Sequence, residues 1–318
     1  MQNISNKTQK GFQDFEKYLK FRFVRKQSVS KFLLFQDFLR FEKLAKILGF
    51  TFLKDEITPP NKWLKLNSLI LYPAVVIIFL AQMISIIMSV QQKSFFVTME
   101  NVMILGGYVI AAGKLFIIFH YKRDKIDDVI ETLDKHFPHF GVDQLIFKVQ
   151  KYLNEVKLFE KIQCSLFLFS LWHVTFFPFE HQIYGFIRSE AVEWETVLTM
   201  ILPFDQFQPA IYIFMRISET WILMFTCFIF ICTDLIFASL TLILSMEFDI
   251  LGQVISAIDM IHSDEKALKE LKKLIGIHQE LIEVSEKISD IFSGLLLINS
   301  FASILVLCIS ISGRQYLF

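Results

Sequence analysis

KALKELKKLIGIHQELIEVSEKISDIFSGLLLINSFASILVLCISISGRQYLF, residues 266–318, is the stretch whose reading decides the fold class. In its first half Leu268, Leu271, Leu274, Ile275, Leu281 and Ile282 recur at helical spacing among Lys269, Glu270, Lys272, Lys273, Glu280 and Glu283. That is the pattern of an amphipathic helix with one face in water. From Ile291 to Ser312 there is no charged residue at all, and such a run is about what a helix needs to cross roughly 30 Å of hydrocarbon. One helical pattern therefore passes from water into a membrane without a break.

The rest of the chain agrees with that reading. Of its 318 residues 54% are hydrophobic and 15% aromatic, too apolar for a soluble globule of this size. The expected fold class is all-α, a polytopic helical membrane protein with long cytoplasmic helical extensions. Charges balance at 32 basic and 32 acidic residues, so nothing points to a nucleic-acid partner. Cys164, Cys227, Cys232 and Cys308 all lie inside apolar runs without metal-site or redox spacing, and read as structural thiols. Residues 1–28 are polar and basic, unlike a secretory signal. No metal-ligand spacing, nucleophile elbow or glycine-rich phosphate loop is present, so neither an enzyme nor a cofactor is expected.

Five spans are expected, at about 66–90, 102–119, 162–179, 212–235 and 291–312. Before the first, Phe32 to Phe35, Phe38, Leu39, Leu44, Ile47 and Leu48 would give a helix one greasy face among many Lys and Arg, so that it lies along the membrane surface, ending at Gly49 and before Pro59 and Pro60. Lys114 interrupts the second span, near enough to His120, Lys122 and Arg123 for its amine to snorkel to the headgroups. Residues 120–161 read as a helical hairpin in water, turned near Pro138 and Gly141. The loop 180–208 is acidic. The fourth helix is too long for a bilayer and continues into the cytosol toward Ile261. The domains expected are 1–65, a cytoplasmic N-terminal segment with its interfacial helix; 66–244, spans one to four; 245–289, cytoplasmic helices; and 290–318, the fifth span and a short tail.

Of the 32 basic residues, 27 fall on the side that holds the N-terminus. Lys93, Arg188 and Arg314 fall on the other, and Lys114 and Arg216 lie within spans. By the positive-inside bias the N-terminus is cytoplasmic. The acceptor sequences Asn3-Ile4-Ser5 and Asn6-Lys7-Thr8 should then stay unglycosylated.

Leu48-Gly49-Phe50 before the first span, Leu202-Pro203-Phe204-Asp205 leading to Pro209 and Tyr212, and His278-Gln279-Glu280-Leu281 leading through Ile288, Phe292 and Ser293 to Leu305-Val306-Leu307-Cys308 come in a particular order relative to the five spans. In that order the chain resembles the insect odorant receptors. The resemblance implies a seven-span subunit of a ligand-gated cation channel in the plasma membrane of olfactory sensory neurons. Its partners would be an odorant small molecule, membrane lipid, and the family's co-receptor in a hetero-oligomer, a tetramer. The runs 250–261 and 268–288 would serve the anchor domain where subunits meet; solvated linker helices are the alternative.

The odorant pocket implied lies in the outer half of the membrane. Matching positions are Met103, Gly107 and Tyr108 on the second helix, Phe169, Trp172, His173 and Phe176 on one face of the third, and Tyr212, Met215 and Glu219 on one face of the fourth. A volatile ligand offers apolar surface and one polar handle, which aromatic walls with few polar groups suit. Ordinary packing or lipid contact is the competing reading for any of these residues, and Asp234 is expected in a structural role at the inner interface. The resemblance departs at the end: a sixth and a seventh helix should follow, the seventh lining the ion pathway, so pore activity is not expected of the five spans alone. A gustatory-type receptor of the same superfamily and a G-protein-coupled receptor are the alternatives. The latter requires an outside N-terminus and usually paired extracellular cysteines.

Overall fold

The computed structural model describes residues 35, 38–39, 41–47, 62–92, 95–138, 143–144, 147–187, 208–258 and 264–315. Among them the secondary structure is helical: α1 (Phe41–Ile47), α2 (Lys62–Gln91), α3 (Phe95–Phe116), a π-helical turn (Ile117–Tyr121), α4 (Arg123–His136), α5 (Val149–Ile187), α6 (Pro209–Ile258) and α7 (Asp264–Gln315). Each of the five stretches expected to span lies wholly within helix. Outside the described residues lie most of the interfacial helix, the prolines at 59–60, Gly141, the loop from Arg188 to Phe207 and its Leu202 to Asp205 motif, Leu48-Gly49-Phe50, Ile261 and both glycosylation acceptors. α5 runs on to Ile187, past Pro178 and past the expected end of the third span; proline is tolerated in membrane helices where neighbours re-satisfy the freed carbonyl.

α2 shows most directly what solvent these helices are built for. Gln82, Ser85 and Ser89 recur at i, i+3 and i+7 and are buried, whereas Leu80, Ile84, Ile87 and Val90 are exposed. In water this would invert the hydrophobic effect; in lipid it does not, since apolar side chains match the tails and polar ones hold helices together. Thr98 of α3 donates to the Ser89 hydroxyl at 3.0 Å. The same outward apolar face recurs at Leu166 and Leu168 on α5, Ile213, Phe214 and Ile217 on α6, and Leu297, Phe301 and Ile304 on α7. Among the described residues, Val97–Tyr121 and Ile211–Ser256 are by themselves long and apolar enough to cross a membrane, and Phe79–Gln91 is a shorter apolar stretch. At 1.5 Å per residue the 46-residue stretch is about 69 Å long, far beyond a bilayer.

Contacts group the chain into two compact units, one of residues 1–40, 128–158 and 238–288, the other of 41–127, 159–237 and 289–318. The first follows the rules of a water-soluble bundle. Val129, Ile130, Leu133, Val149, Leu153 and Val156 are buried, while Asp128, Glu131 and Lys151 are outside. Phe35 and Phe38 meet Phe137 edge-on, with ring centroids 5.3 and 5.8 Å apart. Lys135 and His136 both reach Glu280 at 2.7 Å, Lys287 reaches Asp128 at 2.5 Å, and the Tyr152 hydroxyl donates to Asp249.

The second unit holds the expected spans. Here the structure corrects the expectation for Lys114. Its side chain does not snorkel; it is 1% exposed, with Nζ 3.0 Å from Asp234 Oδ1 and 4.3 Å from the centre of the Phe230 ring. A carboxylate 120 residues away in sequence satisfies the amine where it stands, so it need not reach the headgroups. Cys232 is buried, with its thiol 3.7 Å from the Phe41 carbonyl, whereas Cys164 and Cys227 are half-buried. Where the π-helical turn closes, Lys122 N–H donates to the Ile117 carbonyl at 2.7 Å, and Lys122 and Lys125 both reach Asp290, at 2.7 and 2.6 Å.

Candidate ligand-binding site

The ten candidate residues divide by helix. On α3, Met103 and Gly107 are one turn apart and Tyr108 follows; all three are half-buried. A side chain added at Gly106 or Gly107 would meet nothing within 4 Å, so this part of α3 borders open space. On α6, Tyr212 and Glu219 are two turns apart on one face and buried, 5% and 2% exposed, with half-buried Met215 beside them.

The structure brings α3 and α6 together at these residues. The Tyr108 hydroxyl is buried and lies within electrostatic reach of Glu219 and Cys227. Among the described residues it has no hydrogen-bond partner. A buried hydroxyl left so is costly, and an unsatisfied donor of this kind in an apolar setting is what a ligand's polar handle can take up.

The third-helix candidates are arranged otherwise. Phe169 stacks on His173 with centroids 6.5 Å apart, and Trp172 on Phe176 at 4.4 Å. These are neighbours one turn apart on α5, and Phe169, Trp172 and Phe176 are exposed by 71%, 57% and 44%. The four form an aromatic face presented outward on α5.

Arg216 was not among the candidates and belongs with them. Its Nη2 donates to the Thr175 carbonyl at 3.0 Å, fastening α6 to α5 one residue before Phe176. Its Nη1 and the Thr175 hydroxyl are buried without hydrogen-bond partners among the described residues. The signal was legible in the sequence: an arginine within an apolar run, one turn before Glu219, is expensive in lipid unless it faces protein or a polar cavity. Tyr108, Thr175, Arg216 and Glu219 thus place polar groups from three helices inside an apolar bundle. No group of His, Cys, Asp and Glu able to hold a metal ion occurs among the described residues.

A family model described as 7tm odorant receptor matches residues 94–313. Odorant receptor 85c of Drosophila melanogaster is 22% identical over 216 residues, covering 64% of this chain and 53% of the relative. Putative odorant receptor 92a of the same organism is 26% identical over 197 residues, covering 58% and 47%. The chain therefore spans about half the length of the curated relatives it matches. Among solved structures, the insect olfactory receptor OR5 from Machilis hrabei superposes with a TM-score of 0.70, and its complex with eugenol with 0.69. Both are 15% identical and cover 86% of this chain, and 70% and 69% of the receptor. At that identity the likeness establishes a shared helical fold, while the family match extends over more than half of the sequence. This multi-pass helical membrane protein belongs to the 7tm odorant receptor family.

Proposed function

We propose that the chain is an odorant receptor subunit that binds a small volatile molecule in the outer half of the membrane and, with a co-receptor, gates a cation channel. The observation that carries the binding half of this reading is the buried Tyr108 hydroxyl, without a protein hydrogen-bond partner among the described residues and within reach of Glu219. Tyr212, Met215, Met103 and the open flank of Gly107 supply apolar surface around it. Phe169, Trp172, His173 and Phe176 face outward on α5, and in the whole receptor they would add an aromatic surface to the site. That the OR5 receptor was solved in complex with eugenol supports small-molecule binding. Because the chain spans about half the length of its curated relatives, channel gating and assembly, as a hetero-tetramer, are proposed for the whole receptor.

The uneven distribution of Lys and Arg supports a cytoplasmic N-terminus, and the family supports placement in the plasma membrane of olfactory sensory neurons. The test is odorant-evoked current recorded from cells expressing the whole receptor that contains this chain, together with the co-receptor. Tyr108→Phe should raise the half-maximal odorant concentration about tenfold, equivalent to ~1.4 kcal/mol, for ligands bearing a hydrogen-bonding group and much less for hydrocarbons. Equal responses of the variant and the unaltered receptor to both ligand classes would remove Tyr108 from the site.

A further inference from the structure

A cavity of about 220 Å³ opens beside the Lys114–Asp234 pair, lined by residues of α3, α5, α6 and α7. It is separate from the Tyr108 and Glu219 group: six residues along α3 and fifteen along α6 amount to about 9 and about 22 Å. Its walls are mostly apolar, and include Phe237 and Phe292, whose ring centroids are 5.1 Å apart. Gln163 and Asn299 also line it, and among the described residues neither side-chain amide has a protein hydrogen-bond partner. Asp234 uses Oδ1 for Lys114 and leaves 37% of its side chain exposed, and its Oδ2 has no protein hydrogen-bond partner among the described residues.

We infer that this cavity is a second small-molecule site, and that it takes a compact neutral alcohol or phenol whose hydroxyl joins Asp234 to the amides of Gln163 and Asn299. Neutrality follows from the ion pair. Lys114 and Asp234 already cancel each other's charge, so a charged guest would add an unpaired charge to a low-dielectric site. A hydroxyl follows from the vacant groups, because it donates to the open carboxylate oxygen and accepts from an amide N–H with one atom. Size follows from the volume, which is below the roughly 300–1,000 Å³ of pockets for drug-sized ligands. Water alone would satisfy the amides and leave the phenylalanine and leucine walls wetted.

The chain in lipid nanodiscs is titrated with a ring-fluorinated phenylethanol and, separately, with the matching ring-fluorinated ethylbenzene, and binding is read from fluorine NMR linewidths against empty nanodiscs. The alcohol should bind at least about tenfold more tightly than the hydrocarbon, because a site built for a hydroxyl discriminates strongly against its absence. Asn299→Leu and Gln163→Leu should each lower alcohol affinity about tenfold, and should do so equally in a Tyr108→Phe background, where the odorant site no longer offers its hydroxyl. The hydrocarbon comparison uses the unaltered chain and so does not depend on either variant folding. Equal binding of the two probes, no binding of the alcohol, or loss through Tyr108→Phe in place of the leucine variants would each overturn the inference. The last outcome would place the alcohol at the Tyr108 group, which separates failure of this site from failure of the proposed odorant site.

Discussion

Lys114 and Asp234 show what a single pair does in a membrane bundle. The ammonium is almost wholly buried, so its partner decides whether it can be tolerated there. Lys114→Met should destabilise the chain by about 2–3 kcal/mol, below the full cost of breaking a buried pair because Asp234 keeps some access to its cavity. The double change with Asp234→Leu should recover most of that loss, and thermal unfolding of the two single variants and the double variant in nanodiscs measures the coupling. Glu280 makes a residue-scale prediction outside the membrane. The hydrogen bond from Lys135, followed by that from His136, holds its carboxyl below the usual carboxylate range. A depressed carboxylate contributes stability above its unfolded value of about 4.3, and that contribution is lost as pH falls through the folded value. On the alkaline side, the bond to Asp249 pushes the Tyr152 phenol up to about 12. Its contribution is intact below the unfolded value of about 10 and is lost as pH rises through the folded one. Melting temperature against pH should therefore fall at both ends, with Glu280→Gln flattening the acid limb and Tyr152→Phe the alkaline limb.

Among the elements, α7 is the most instructive, because one helix carries two solvents' rules. Leu281, Val284, Ile288, Ile291 and Leu295 are buried at alternating spacings of three and four, the spacing of a coiled-coil seam. The seam is continuous across Asp290, although the opposite face changes from Glu283 and Glu286 to Leu297 and Phe301. Gly276 lies in the charged half, and a methyl group there would meet nothing within 4 Å. Gly276→Ala should stabilise α7 by about 0.5–1 kcal/mol, read as a higher melting temperature, since alanine has less freedom to lose. The start of α5 calls for the opposite change. Lys148 is a non-glycine residue with φ of 54° just before the helix, so Lys148→Gly should stabilise by up to about 1 kcal/mol by relieving left-handed strain. An unchanged melting temperature in both variants would show that neither position limits stability.

For the whole molecule, orientation is the property on which the proposed function depends. An odorant site in the outer half requires the acidic stretch 180–208 to face outside and the N-terminus to face the cytosol. Asn3 and Asn6 should remain unglycosylated, and an acceptor sequence introduced near Glu193 should be modified when the chain is made in cells. A mobility shift on gels, removed by glycosidase, reports both; glycan on Asn3 or Asn6 would reverse the orientation and with it the assignment of the ligand-facing end.

The sequence by itself determined the all-helical membrane class, the helix over each expected span and the family, because these rest on local signals: apolar run length, helical period, and short motifs in a given order. It also determined that Lys114, Arg216, Glu219 and Asp234 demand explanation, since charge within an apolar run is costly wherever the helix packs. Only the tertiary structure decided the partners. Lys114 looked free to reach the headgroups because its proximity to His120 and Lys122 is visible along the chain, whereas Asp234 is 120 residues away. Helical period placed Phe169, Trp172, His173 and Phe176 on one face of α5 but could not say that this face points away from the rest of the chain. Period defines a face, and what covers it depends on packing between helices distant in sequence.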